Sequence, residues 1–343
     1  MLMVSATQAI APAVERTRNL LFRPFRWGTF LKLCAVAVFT EGFSGNFNFS
    51  HGSHASHTHI DPGTIPFHIT PALMTALAFV GIAVVVLVIA IFYLAVRLRF
   101  ALFECLVHQD RRIAPGWHKY RFQALRFFLL SIAVGLVFLV IVAALMLPFF
   151  IGFLRLFREM QISGHFPLAA ALGLILPLIP LFLGIIVAGF AVDLILRDFM
   201  LPHMALENAS AGQAWNAVRT RIVREMGSFF LYAVLRILLP LAALIALFIA
   251  LALPGILLFG LLGVSMAAIH AALHNASMAL TVIGSVFEVL LGLLIMALAL
   301  FLAIAFGGPL CMSIRNYALV FYGGRYQALG DILYPPPPAP PPA

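Results

Sequence analysis

The sequence predicts an all-α polytopic transmembrane bundle, six spans favoured, with interfacial helices on the cytosolic side. Three observations carry that prediction. Apolar residues fill 63% of 343 positions and charged residues 10%, with a mean hydropathy of +1.08, against about 45–50% and about 25% in an average soluble domain. Several stretches reach the roughly 20 apolar residues that a span requires. The basic residues fall beside those stretches rather than at random.

Taken in order, residues 1–26 hold a short interfacial helix in which Leu20, Leu21 and Phe22 lie among Arg16, Arg18, Arg23 and Arg26. This basic lead is too long for the n-region of a cleaved signal, so span one, about 27–43, is expected to stay as an anchor. Lys32 and Glu41 interrupt it, Lys32 near the inner end and Glu41 near the outer end, where each can snorkel. A polar loop, 44–70, follows. Span two covers 71–96 and leads into a basic segment, 97–126. Span three is 127–150, and span four is 167–192 with Pro177 and Pro180 as kink sites.

Residues 193–228 contain an amphipathic helix. Ser210 and Gln213 form a capping box. Ala211, Ala214, Trp215, Val218, Ile222 and Met226 recur at helical spacing, and Arg219, Thr220, Arg221 and Arg224 take the other face, a pattern suited to the headgroup layer or equally to packing on a partner helix. From Phe229 to Leu310 only Arg236 and Glu288 are charged. Two spans, 229–253 and 286–310, are favoured over four short ones, with an apolar outer hairpin between them. A cytosolic C-terminal segment, 312–334, precedes a tail, 335–343, that is nearly all proline and expected to be extended polyproline II and disordered.

Charge sets the orientation. Seventeen Lys and Arg lie in 1–26, 97–126, 193–228 and 312–343, against two, Arg155 and Arg158, in the opposite loops. The positive-inside rule then puts both termini and the basic loops in the cytosol of a bacterial cell with the chain in its cytoplasmic (inner) membrane. The net charge of +9 thus follows topology and does not point to nucleic acid. Cys34, Cys105 and Cys311 have no metal-ribbon or disulfide spacing.

The inner ends of the even-numbered spans repeat a theme: Phe100-Ala-Leu-Phe-Glu, Phe199-Met-Leu-Pro-His and Tyr317-Ala-Leu-Val-Phe. The first two are followed by Trp117 with Arg121 and by Trp215 with Arg219, as in two related helical hairpins and a partial third. Two stretches also carry a resemblance: Leu21-Phe-Arg-Pro-Phe-Arg-Trp-Gly-Thr-Phe-Leu-Lys32, and Arg197-Asp-Phe-Met-Leu-Pro-His-Met-Ala-Leu-Glu207 with the Ala-Trp helix after it. They resemble a family of uncharacterised prokaryotic membrane proteins similar to the membrane domain fused to glycerophosphodiester phosphodiesterases. The resemblance implies six spans and supplies no activity; the catalytic barrel and its His-Arg-Gly start are absent from this sequence.

Candidate chemistry is sparse. His51, His54, His57 and His59, near Asp61 and His68, are imidazoles of the type that binds zinc, copper or nickel, set in a Gly- and Ser-rich loop. His270 and His274 share a helix face. Asp193, Arg236 and Glu288 are ionisable groups within or beside spans: Asp193 is expected to pair with Arg197 at the surface and to lie within reach of Arg236, and Glu288 has no evident partner. Arg111, Arg112, Lys119, Arg121, Arg219, Arg221 and Arg224 are candidate headgroup contacts. Phosphate-loop, dinucleotide, zinc-protease and nucleophile-elbow motifs are all missing. The sequence therefore predicts a protein without catalysis or cofactor that organises lipid or a protein partner. A small-solute or ion transporter or channel is the alternative, and metal handling by the outer histidines a weaker one.

Overall fold

The computed structural model describes residues 5–41, 71–163, 168–273 and 278–334, and the described residues are helical throughout, with no strand. In chain order the helices are α1 Ile10–Phe22, α2 Trp27–Glu41, α3 Pro71–His108, α4 Ile113–Lys119, α5 Arg121–Ser163 and α6 Leu168–Leu194. A π-helical turn, Ile195–Met200, leads into α7 Leu201–Leu206, and α8 Ala211–Arg224, α9 Met226–Leu273, α10 Met278–Gly323 and α11 Gln327–Leu333 complete the fold.

Five helical stretches are long and apolar enough to cross a membrane: Met74–His108, Arg121–Ile162, Leu168–Leu206, Met226–Ala271 and Val282–Gly323. α2, at 15 residues, falls below the usual span length, so a sixth spanning helix is not among them. The 229–310 stretch forms two helices and not four. Both run past the segment expected to be an outer hairpin: α9 continues through Pro254 to Leu273, and α10 begins at Met278.

The packed core lies at one end, where the basic residues gather. In each spanning stretch at most 11% of the most apolar window is buried, although α9 packs along α10 and α5 on α6. At the basic end, by contrast, Phe100, Phe127, Phe199, Phe321, Tyr120, Tyr232 and Tyr322 are completely enclosed. Tyr232 stacks on Tyr317 and on Phe321, and Phe199 meets Phe229, Tyr232 and Tyr322 at 5.0–5.4 Å between ring centroids. Such pairs contribute about 0.5–1.5 kcal/mol each beyond the area they bury, so the aromatic knot fixes how the helix ends meet.

Three short helices fold back on the ends of long ones: α4 on α3, α8 on the π turn and α7, and α11 on α10. They correspond to the three echoes in the sequence, and α11 completes the third without a tryptophan. Glycine permits two of the closest approaches. A Cβ on Gly116 would stand 2.9 Å from the Ala101 Cα, and one on Gly330 would stand 2.6 Å from the Gly323 carbonyl. In α8 the Ser210 hydroxyl accepts from the Gln213 N–H and the Gln213 side chain accepts from the Ser210 N–H, a complete capping box. Ala214 and Val218 face inward, and Trp215 is exposed. α1 packs along α10 with Ala9, Ala13, Leu20 and Leu21 buried, so it is a core element rather than a free interfacial helix.

Candidate functional site

The sequence contains four arginines spaced along four elements, and the fold brings them to one point. Arg99 on α3, Arg197 in the π turn, Arg236 on α9 and Arg315 on α10 converge on Glu41 and Thr40 at the end of α2. Arg99, Arg197 and Arg315 each stand one or two residues before the echoed aromatics Phe100, Phe199 and Tyr317, so the repeat itself delivers three of the four.

Glu41 is the centre of the network. Its carboxylate accepts from the Arg315 Nε and lies 3.4 Å from the Arg197 Nη2 and 3.6 Å from the Arg236 Nη2. Asp198 accepts from Arg315 at 2.9 Å, from Arg236 at 3.2 Å and from the Tyr232 hydroxyl at 2.8 Å. The Thr40 carbonyl accepts from Arg99 at 3.2 and 3.0 Å and from Arg197 at 3.2 Å. Arg197 also donates to Asp193 at 2.7 Å.

Several expectations change here. Glu41 does not sit at the outer end of a span; it is drawn to the basic end because three guanidinium groups compensate its burial. The Asp193–Arg197 pair is not a surface pair, since Arg197 is 4% exposed. Asp193 does not pair with Arg236, whose carboxylates are Asp198 and Glu41. Glu288 does have a partner, the His270 Nδ1 at 3.1 Å, in a pair separate from the network.

α2 reaches this point through a close crossing of α10. A Cβ on Gly308 would lie 2.6 Å from the Cys34 Cα, so glycine alone lets the two backbones approach. The π turn supplies the second device. Pro202 has no N–H to return to the Asp198 carbonyl, which removes an α-type bond where the widened turn lies. Arg197 and Asp198, neighbours in sequence, are both buried there, at 4% and 3% exposure. Turns of this kind recur at functional sites.

Three cavities adjoin the network. The largest, about 700 Å³, has Glu41, Asp193 and Arg236 at its charged base and apolar walls from α5, α6, α9 and α10, among them Phe138, Ile186, Leu241 and Leu310. A second, about 200 Å³, is lined by Arg99, Ser131, Asp193 and Arg197, and shares Phe138 and Gly189 with the first. A third, about 20 Å³, lies among Arg99, Arg197, Asp198 and Arg315, room for about one water molecule.

The expected headgroup contacts divide into two groups. Arg112, Lys119, Arg121, Arg219 and Arg224 are exposed, and Lys119 is bonded to Glu104 at 2.8 Å. Trp27, Phe122, Trp215 and Phe230 are exposed at the same end, as aromatic side chains at a membrane interface are. Arg111 and Arg221 are structural. Arg111 donates to the carbonyls of Asn19, Leu20, Arg23 and Pro24, closing the C-terminus of α1. Arg221 donates to the His203 Nε2 at 3.1 Å and to the Ala217 carbonyl at 3.1 Å. His203 is 1% exposed, with its Nε2 2.8 Å from the Tyr322 hydroxyl and its Nδ1 3.2 Å from Glu207. The donation from Arg221 requires a bare Nε2, so the imidazole is neutral with its proton on Nδ1, facing Glu207. Burial works to raise the Glu207 carboxyl, but His203 and Arg221 outweigh it and hold the group below the usual carboxylate range.

His51, His54, His57, His59, Asp61, His68 and His274 lie outside the described residues. Among the described residues no group of three or more His, Cys, Asp or Glu is placed to hold a metal ion. Sequence reading singled out Asp193 and Arg236 but not Arg99, Asp198 or Arg315, which sat among residues assigned to cytosolic segments. The signal that finds them is the arginine repeated ahead of each echoed aromatic.

No curated protein and no solved structure matches the chain. A family model does match, over residues 4–332, and it carries no tie to the phosphodiesterase-linked membrane domain. The chain therefore belongs to a family of unknown function, DUF7544, and its helices suit it to a membrane.

Proposed function

We propose that this protein is a non-catalytic, multi-pass protein of the cytoplasmic membrane that engages membrane lipid through the cavity above its buried arginines. One observation carries the reading: a cavity of about 700 Å³ with apolar walls and charged groups, Glu41, Asp193 and Arg236, at its base. That polarity gradient is the one an amphiphile has. The exposed aromatics and arginines at the same end support placing this base at headgroup level, and the seventeen-to-two basic asymmetry supports calling that side cytosolic.

The same placement supports six crossings with both termini inside. Thr17 on α1 is bonded to Asn316 near the end of α10, so the two ends of the chain share one side. Thr40 is bonded to Arg99, and Pro71 begins the same helix roughly 28 residues earlier, about 42 Å away at 1.5 Å per residue. Glu41 and Pro71 therefore lie at opposite ends of α3, as a further crossing beside the five long helices requires. Gly28-Thr-Phe-Leu opening α2 also echoes Gly227-Ser-Phe-Phe opening α9.

A phospholipid bearing a photoactivatable acyl chain, reconstituted with the full chain in vesicles, tests the reading. Label should concentrate at Ile186, Ile237, Leu241 and Leu310 over outward residues such as Val137 and Val289. An even spread along the helices would overturn it. A second reading, conduction of a small solute or ion, is favoured by the same three charged side chains facing a cavity at membrane depth. It predicts flux in proteoliposomes that falls when Arg236 is replaced.

A further inference from the structure

Within the lipid-engaging reading, on which this inference rests, the network beside the large cavity, rather than that cavity's own Glu41, Asp193 and Arg236, specifies the headgroup. Four arginines meet three carboxylates in the network. Glu41 is shared by Arg197, Arg236 and Arg315, Asp198 by Arg236 and Arg315, and Asp193 is taken by Arg197. One positive charge is in excess.

The hydrogen bonds show the same deficit of acceptors. Arg197 Nε and Arg315 Nη2 are buried without a hydrogen-bond partner, in residues 4% and 8% exposed. The Arg315 donor borders only the 20 Å³ space that one water fills, whereas Arg197 also lines the 200 Å³ cavity, where an anionic acceptor can reach it. Arg197 lines the two smaller cavities, Arg236 the largest, and Asp193, the bonded partner of Arg197, lies between the largest and the 200 Å³ one.

We infer that the cluster is a phosphate site for one phospholipid, with the phosphate in the 200 Å³ cavity against Arg99 and Arg197 and the acyl chains in the adjoining larger cavity between α5, α6, α9 and α10. Three features select this ligand. A phosphate matches the surplus charge and the fork geometry of arginine. The apolar walls of the larger cavity adjoin the arginine-lined one, so the ligand must be anionic at one end only. The exposed Trp27, Phe122, Trp215 and Phe230 mark the interface at the same end of the molecule.

The test uses the full-length protein in mild detergent, observed by native mass spectrometry. Dioleoylphosphatidylglycerol, dioleoylglycerol and inorganic phosphate are offered in turn. Phosphatidylglycerol should be retained as one molecule per chain, at least about tenfold more tightly than dioleoylglycerol, a gap of about 1.4 kcal/mol. Leu241→Trp, which fills the cavity from an exposed wall position and leaves every charge in place, should abolish retention without lowering the thermal midpoint. Arg99→Gln should cut the preference for phosphatidylglycerol over dioleoylglycerol.

Equal retention of the two lipids overturns the phosphate site, and leaves lipid engagement standing if photolabel still concentrates in the cavity. Occupancy by inorganic phosphate that excludes phosphatidylglycerol overturns the lipid source. Unchanged retention by Leu241→Trp overturns the location.

Discussion

Replacing Glu41 by Gln keeps the size of the side chain and a hydrogen-bond acceptor but removes the charge that three arginines share. The side chain is about 10% exposed, as is that of Arg315, and that of Arg197 is 4% exposed. Solvent therefore cannot take over the compensation. Removing one member of a buried ion pair costs about 3–5 kcal/mol, because the partner charge is left uncompensated. Here four arginines would face two carboxylates, so the upper part of that range is expected, equivalent to roughly three orders of magnitude in the unfolding equilibrium. Unfolding in mixed micelles by increasing denaturing detergent, followed by the near-ultraviolet signal of the aromatic knot, gives the measurement. The double variant Glu41→Met with Arg315→Met removes one charge of each sign and should be less destabilised than Glu41→Gln, since an apolar pair of similar volume often replaces a buried ion pair without loss. A Glu41→Gln protein within about 1 kcal/mol of wild type would refute the reasoning, because the threshold set by uncompensated burial would not have been met.

Other expectations rest on single contacts. Gly308→Leu should destabilise by about 1–3 kcal/mol or more through overpacking, since even a Cβ there collides with the Cys34 backbone; a thermal melt in detergent measures it. Arg111→Ala should loosen the C-terminus of α1 by about 1.5–3 kcal/mol, the worth of charged hydrogen bonds, seen as faster amide exchange over residues 19–26. Ser210→Ala should cost about 1 kcal/mol as a lost N-cap, confined in hydrogen exchange to the first turn of α8. Arg219→Ala and Arg224→Ala, both at exposed positions, should change stability by less than about 0.5 kcal/mol, whereas Arg221→Ala should cost more because it removes the donor to His203.

Much of the architecture was legible because lipid is an apolar solvent and leaves its mark on composition. The long apolar helices, the two-helix form of the 229–310 stretch and the capped, two-faced α8 all follow from local pattern. The charged site was only half legible. Arg236 and Asp193 stood out as charges beside apolar runs, but Arg99, Asp198 and Arg315 were masked by the basic segments around them. Glu41 was misplaced because its position is set by arginines 58 or more residues distant in sequence, and no local period encodes such a pairing. The π turn that buries Arg197 and Asp198 together leaves only Pro202 as a clue.

The lengths of the helices above the arginine cluster have one further consequence. Measured from it, α3 extends about 42 Å and the α6 stretch about 44 Å at 1.5 Å per residue, which matches a bilayer with its headgroup layers, about 40–45 Å. From Arg236 to Leu273 and from Met278 to Arg315, the α9–α10 hairpin extends about 56 Å. Its apolar surface fits the same bilayer if the hairpin leans by about 40°, the upper limit of observed tilt. Such a lean would part α9 from α6, whose Leu241 and Ile186 wall the apolar cavity. The cavity is then the geometric counterpart of hydrophobic mismatch. A thicker bilayer would stand the hairpin upright and close it, and a thinner one would spread it wider, so membrane thickness itself would regulate access to the arginines.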